Sequence, residues 1–203
     1  MLAILFSYFS AQYGNIDWHV RSGKFILALI LFRIAWGFVG GQHARFASFL
    51  SGPGAAIGYL CALLRGSAKR YFGHNPLGAW SAVAMLLVVL VQGVTGLFAT
   101  DDIATDGPLR YLVSGATSSR LTTIHRYGIN VLMALVALHL VAIAFYLVVK
   151  RDNLARAMVT GKKTLAPGDA APAPGPQGSS LVAALLFAVA LALVFGLLAA
   201  FGR

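Results

Sequence analysis

The chain has 203 residues, of which 59% are hydrophobic and only 11% charged, with a mean hydropathy of +0.78; the polar surface of a soluble domain cannot be drawn from that pool. The formal net charge of +10 does not point to nucleic acid, because the basic residues sit in short segments beside apolar stretches. Cys61 is the only cysteine, which excludes intrachain disulfides, thiolate metal clusters and a C-x-x-C-H haem attachment.

Taken in chain order, residues 1–13 are apolar and aromatic but too few to cross a bilayer at about 1.5 Å per residue. They read as the outer half of a span whose beginning is absent, and with no basic n-region they make a poor secretory signal. The first complete span runs over about 20–39. A basic loop with Arg45, Arg65, Lys69 and Arg70 follows, and its piece 53–65 is apolar enough to lie at the interface. Asn75 is a natural N-cap and Pro76 suits the first helical position, so a helix is expected over about 76–99. A loop with Asp101, Asp102 and Asp106 leads to a span over 124–148, ending at Lys150-Arg151. Residues 149–179 are basic and then rich in proline, alanine and glycine, a composition expected to be extended and mobile. A last span, 180–200, is almost wholly Leu, Ala, Val and Phe.

The charge pattern orients this set. Segments 40–75 and 149–179 are basic, whereas 100–123 and the Asp17 region hold most of the acids. By the positive-inside rule the first two are expected in the cytoplasm, with loop 100–123 periplasmic.

Ligating side chains inside a span are costly, so the intramembrane histidines invite a functional reading. His125 and His139 lie on one span, fourteen residues apart. That is close to four helical turns, which points both imidazoles to nearly the same side, about 21 Å apart along the axis. Two haems stacked across a membrane need such an arrangement. His19 stands at about the depth of His125 on the first complete span, and Gly23, one turn on, would let a flat macrocycle approach the backbone. One neutral imidazole from each of two helices gives bis-histidine ligation, which favours electron transfer over oxygen binding. Arg33 lies fourteen residues after His19 and suits either a propionate of the inner haem or snorkelling to the cytoplasmic surface. A lone membrane histidine also serves as an interhelical hydrogen-bond partner, and that reading stands beside the ligand reading for His19 alone. His74, just outside its helix, is expected as an interface or propionate-contact residue, and His43 carries less. Gly93 and Gly96 would admit a porphyrin or serve helix packing equally well.

The ensemble of motifs resembles the bacterial cytochrome b561 and nickel–iron-hydrogenase b-type cytochrome family. The resemblance rests on His19-Val20-Arg21-Ser22-Gly23, on Phe32-Arg33-Ile34-Ala35-Trp36-Gly37-Phe38-Val39-Gly40, and on Ala44-Arg45-Phe46. It continues through Gly73-His74-Asn75-Pro76-Leu77-Gly78, Thr95-Gly96-Leu97-Phe98, Gly107-Pro108-Leu109, the stretch from His125-Arg126 to His139 and Phe145-Tyr146, and Ala157-Met158-Val159-Thr160-Gly161. Most of residues 15–163 are covered; the last span and the linker match less distinctively.

The resemblance implies an all-α integral membrane bundle in the bacterial inner membrane. Its parts are a four-helix haem-binding core over 1–163 with a truncated first helix, a cytoplasmic linker over 164–179, and one extra C-terminal transmembrane helix over 180–203. It implies two haems b, with His19 and His125 the axial pair of the outer one and His139 one ligand of the inner. The family's partner for His139 is a histidine in the inner half of the first span, absent from this chain, so a truncated or misassigned start is expected. Electrons would pass between the quinone pool and a periplasmic-side partner: a hydrogenase, a dehydrogenase or a c-type cytochrome. Two alternatives stand beside this. One is a self-contained superoxide:quinone oxidoreductase with a cationic outer pocket to which Arg120 and Arg126 contribute. The other is a haem-free membrane scaffold or transporter. No nucleophile–base constellation appears, and every acid falls in a loop, so a proton-pumping carboxylate relay is not expected.

Overall fold

In hydrocarbon every backbone N–H and C=O must bond within its own segment, so long apolar runs of Leu, Val, Ala and Phe settle as α-helices. The computed structural model of the chain describes residues 1–71, 73–161 and 175–201. Among these residues the architecture is all-α. The helices are α1 (Leu2–Gln12), α2 (Ile16–Val39), α3 (Phe46–Phe49), α4 (Pro53–Leu64), α5 (Pro76–Gly96), α6 (Gly115–Val148), α7 (Leu154–Thr160) and α8 (Ser180–Phe201). Four of them, α2, α5, α6 and α8, are long and apolar enough to cross a membrane. The protein is a multi-pass membrane helical bundle, turned inside out relative to a soluble one: Leu138 and Val141 are each 65% exposed and Leu181 69%, surface that lipid would cover.

α2 is the hub, packing against α1, α5 and α8, while α5 also packs on α6 and α4. The α2–α8 contact is built from Leu27 and Ala28 meeting Val194 and Leu198, with Phe187 edge-on to Phe25 and Phe32. Gly37 lets α3 close on α2, because a Cβ there would collide with the Phe46 ring. The two ends differ in where the acids fall: Asp17, Asp101, Asp102 and Asp106 gather at one, here the acidic end, interspersed with Arg21, Lys24, Arg110, Arg120 and Arg126, whereas the basic end carries Arg45, Arg65, Lys69, Arg70, Lys150 and Arg151.

The expected start at Asn75-Pro76 is found, and the Asn75 Oδ1 accepts from the Gly78 backbone N–H at 2.8 Å. The apolar piece expected over 53–65 is helix α4. α6 differs: it begins at Gly115, well before 124, with the Ser114 hydroxyl accepting from Thr117 N–H at 3.3 Å. Its first turns are polar rather than apolar, so hydropathy marks only the part in lipid. The extension is held from the side, by Ser118 Oγ donating to the Phe98 carbonyl at 2.7 Å and Thr122 Oγ1 accepting from Thr100 N–H at 3.0 Å. Of the linker expected over 164–179, residues 164–174 lie outside the described residues. Its end, 175–179, has no regular structure and rests on the basic end of α2, where Gln42 N–H donates to the Pro176 carbonyl at 3.0 Å.

At the basic end, a hydroxyl network ties three elements together. The Tyr59 and Tyr146 hydroxyls lie 2.6 Å apart, and Asn75 Nδ2 donates to Tyr146 Oη at 3.0 Å. Burial, helped by the hydrogen bond to Tyr146, pushes the Tyr59 phenol above its ordinary value. Arg70 pairs with the buried Asp152 at 3.8 Å.

Candidate functional site

Near the acidic end, α1, α2, α5 and α6 and the loop after α5 enclose a cleft of about 440 Å³, within the range of about 300–1,000 Å³ usual for small-molecule sites. Its walls are largely apolar, among them Ile4, Val20, Val89, Leu97 and Ile129. Two imidazoles enter it from opposite helices, His19 from the first turn of α2 and His125 from α6. Their ring centres lie 6.0 Å apart with the planes at 75°.

Each ring is anchored through the same nitrogen. His19 Nδ1 donates to the Ser7 carbonyl at 2.9 Å, with Ser7 Oγ at 3.2 Å. His125 Nδ1 donates to the Gln92 carbonyl at 3.0 Å, with Thr95 Oγ1 at 3.4 Å. A carbonyl oxygen only accepts, so both rings carry their proton on Nδ1 and leave the Nε2 lone pair available for a metal. Among the described residues neither Nε2 has a protein partner. Carbonyl-anchored imidazoles with a free second nitrogen are the usual form of metal-ligating histidine. With metal–nitrogen bonds of about 2 Å and half a ring on either side, two axial imidazoles have centres close to the separation seen.

Glycine makes the room. A Cβ at Gly23, one turn beyond His19 in the cleft wall, would meet no heavy atom within 4 Å, so the wall stays open there. A Cβ at Gly96 would come within 2.9 Å of His125 Cε1, and one at Gly93 within 3.1 Å of Leu27 Cδ1. Gly96 therefore makes space for the imidazole and Gly93 for helix packing, although both also line the cleft. Gln92 lines the cleft, but its side-chain Oε1 is turned against Gly128 of α6, where it is buried without a partner among the described residues. The donor set and the open wall fit a flat macrocycle whose metal would take one imidazole from each side.

The mouth mixes charges: Lys24 and Arg126 line it together with Asp101 and Asp106. The Asp101 carboxylate accepts from the Thr105, Ile103 and Ala104 backbone N–H groups at 2.8, 3.0 and 2.9 Å. Those bonds hold its carboxyl well below the usual carboxylate range.

His139 and Arg33 do not reach this cleft. His139 is half-buried toward the basic half of α6 and makes no hydrogen bond among the described residues. Arg33 lies with its Cζ 5.2 Å from the centre of the Phe46 ring, and its Nη1 is buried without a partner among the described residues. His74 stacks at 4.9 Å on Phe49; burial pushes its imidazole pKa down, and the charges of Arg33 and His139 add to that. These three therefore share one neighbourhood near the basic end. His43 is exposed. Ser7 and Gln92 escaped the sequence reading, Gln92 because a backbone carbonyl has no signature and Ser7 because α1 reads as a featureless apolar segment; Thr95 entered it only within a family motif, without its contact to His125.

The family described as prokaryotic cytochrome b561 matches residues 1–161. A relative named as a probable Ni/Fe-hydrogenase B-type cytochrome subunit, from Rhizobium leguminosarum bv. viciae, is 26% identical over 160 residues. That alignment takes in 71% of this chain and 66% of the relative, so the chain spans just under two thirds of the relative's length. No solved structure matches at a significant level.

Proposed function

Because the chain belongs to the prokaryotic cytochrome b561 family, a family of membrane b-type cytochromes that carry electrons on haem b, we propose that His19 and His125 are the axial pair of one haem. The observation that supports this is the pair of facing imidazoles, each held by a carbonyl through Nδ1. Haem supplies one-electron chemistry at its iron when bound. The residues do the rest. His19 and His125 would hold the iron from both sides and so leave no site on it for oxygen; the apolar walls would keep water away, and Gly23 would admit the edge of the ring. His139 is proposed as one ligand of a second, inner haem, and Arg33 as the contact of its propionate, in keeping with their shared neighbourhood with His74.

In this reading the protein sits in the bacterial inner membrane with the basic end in the cytoplasm and loop 100–123 outside. It passes electrons between the quinone pool and a redox protein at the outer face. The hydrogenase named for the relative makes a hydrogenase-type complex the first partner to test, ahead of a dehydrogenase or c-type cytochrome. A self-contained superoxide oxidase would need a focused positive field at the cleft mouth. Lys24 and Arg126 are offset there by Asp101 and Asp106, which favours the electron carrier.

The test is a dithionite-reduced minus oxidised spectrum of the purified protein. A sharp b-type α band is expected; its absence would return the chain to the haem-free scaffold reading.

A further inference from the structure

α1 is apolar on nearly every side. Leu2, Phe6 and Phe9 are exposed, and the buried side chain of this helix is a serine, Ser7, at 7% exposure. An apolar helix packed against an apolar neighbour gains nothing from a buried hydroxyl, which costs free energy unless it is hydrogen-bonded. Its neighbour is the imidazole of His19. Ser7 offers that ring two acceptors, the carbonyl at 2.9 Å and Oγ at 3.2 Å, both on Nδ1. Ser10 Oγ donates to the same carbonyl at 2.9 Å, so that oxygen does not serve His19 alone and the Ser7 hydroxyl stands as the ring's second acceptor. At the other ring the arrangement is different. Thr95 Oγ1 stands farther off, at 3.4 Å from His125 Nδ1, and donates its proton to the Val91 carbonyl at 2.7 Å.

We infer that Ser7 is a positioning residue for His19: through its hydroxyl and carbonyl it fixes the ring's tautomer and plane and sets how strongly Nε2 donates to iron. This rests on the proposal that His19 ligates haem. Sharing the Nδ1 proton with an acceptor gives the imidazole more anionic character, which favours the oxidised iron. Loss of the hydroxyl removes one of two acceptors and raises the midpoint potential. Ser7 thereby gives α1 a task beyond filling space, since it makes the potential of this haem depend on how α1 is seated against α2.

Spectroelectrochemical titration of the full-length protein with Ser7→Ala, Ser7→Thr and His19→Ala tests this. His19→Ala identifies the haem component in question by removing it. Ser7→Ala is expected to retain that component but titrate at a higher potential, and Ser7→Thr, which keeps a hydroxyl, is expected to titrate like the parent. An unchanged or lowered potential in Ser7→Ala, or an equal shift in Ser7→Thr, overturns the role of Ser7 while leaving the ligand reading intact. Retention of all haem in His19→Ala overturns the ligand reading itself, and the role of Ser7 with it.

Discussion

The imidazole planes of His19 and His125 are crossed at 75° rather than parallel. In the proposed pairing each imidazole would donate π density into the iron d orbital perpendicular to its own plane. Crossed rings act on two different orbitals and leave them close in energy, whereas parallel rings split them. The oxidised protein should therefore give a strongly anisotropic low-spin EPR signal with one large g value. A rhombic signal of modest spread from the haem that His19→Ala removes would mean that the rings lie parallel.

Gly23 is where the cleft wall is open, with no heavy atom within 4 Å of an added Cβ. Gly23→Leu places a side chain in the space open to the macrocycle, where its Cβ meets no heavy atom within 4 Å. It also replaces a residue that disfavours helix by about 1 kcal/mol. The variant is expected to reach the membrane at parental levels and to lose most of the haem proposed for His19 and His125, read as the pyridine haemochrome per protein.

Gly96 is tight where Gly23 is open, since a Cβ would stand 2.9 Å from His125 Cε1. Gly96→Ala must move the imidazole by a few tenths of an ångström and stretch its bond to the Gln92 carbonyl. Haem content should fall partially and the EPR g values should shift, because the ring turns. Unchanged g values would show that α5 yields instead.

The Asp101 turn forms one lip of the cleft. Its carboxyl is held below the ordinary value of about 3.9 by the Thr105, Ile103 and Ala104 N–H groups. A folded-state value below the unfolded one contributes stability that is complete above the unfolded value and is lost as pH falls through the folded one. The lip should therefore stay closed at mildly acidic pH and loosen only in strong acid. In Asp101→Ala it should be loose at every pH, seen as faster amide exchange at 103–105.

Tyr146 joins α6 to α4 and to the start of α5 through Tyr59 and Asn75. Tyr146→Phe leaves the buried Tyr59 hydroxyl and the Asn75 amide short of a partner, a cost of about 1–3 kcal/mol. Thermal unfolding in detergent should show a lower midpoint with the haem spectrum of the cleft unchanged.

The spans were legible because hydropathy and length report directly on the requirement for internally bonded backbone in lipid. Asn75-Pro76 was legible because capping chemistry is local. The early start of α6 was not, since Ser118 and Thr122 stabilise it through bonds to Phe98 and Thr100, partners supplied by the preceding loop. His19 and His125 were paired by their matching depth and by the family resemblance, and the structure brings their rings to 6.0 Å with the planes crossed at 75°. Their anchors were beyond sequence reading, because the Ser7 and Gln92 carbonyls belong to the backbone and any residue type carries one. Gly96 read as a site for porphyrin or packing, and only the placement of His125 shows which atom fills its space.

Haem stoichiometry in His19→Ala and His125→Ala, measured on intact purified protein beside the parent, bears most directly on the facing imidazole pair. Each substitution is expected to remove the same haem, about half of the total, and the double variant no more than either alone. Full retention in either variant, or losses that add in the double variant, would contradict a single iron held between these two rings.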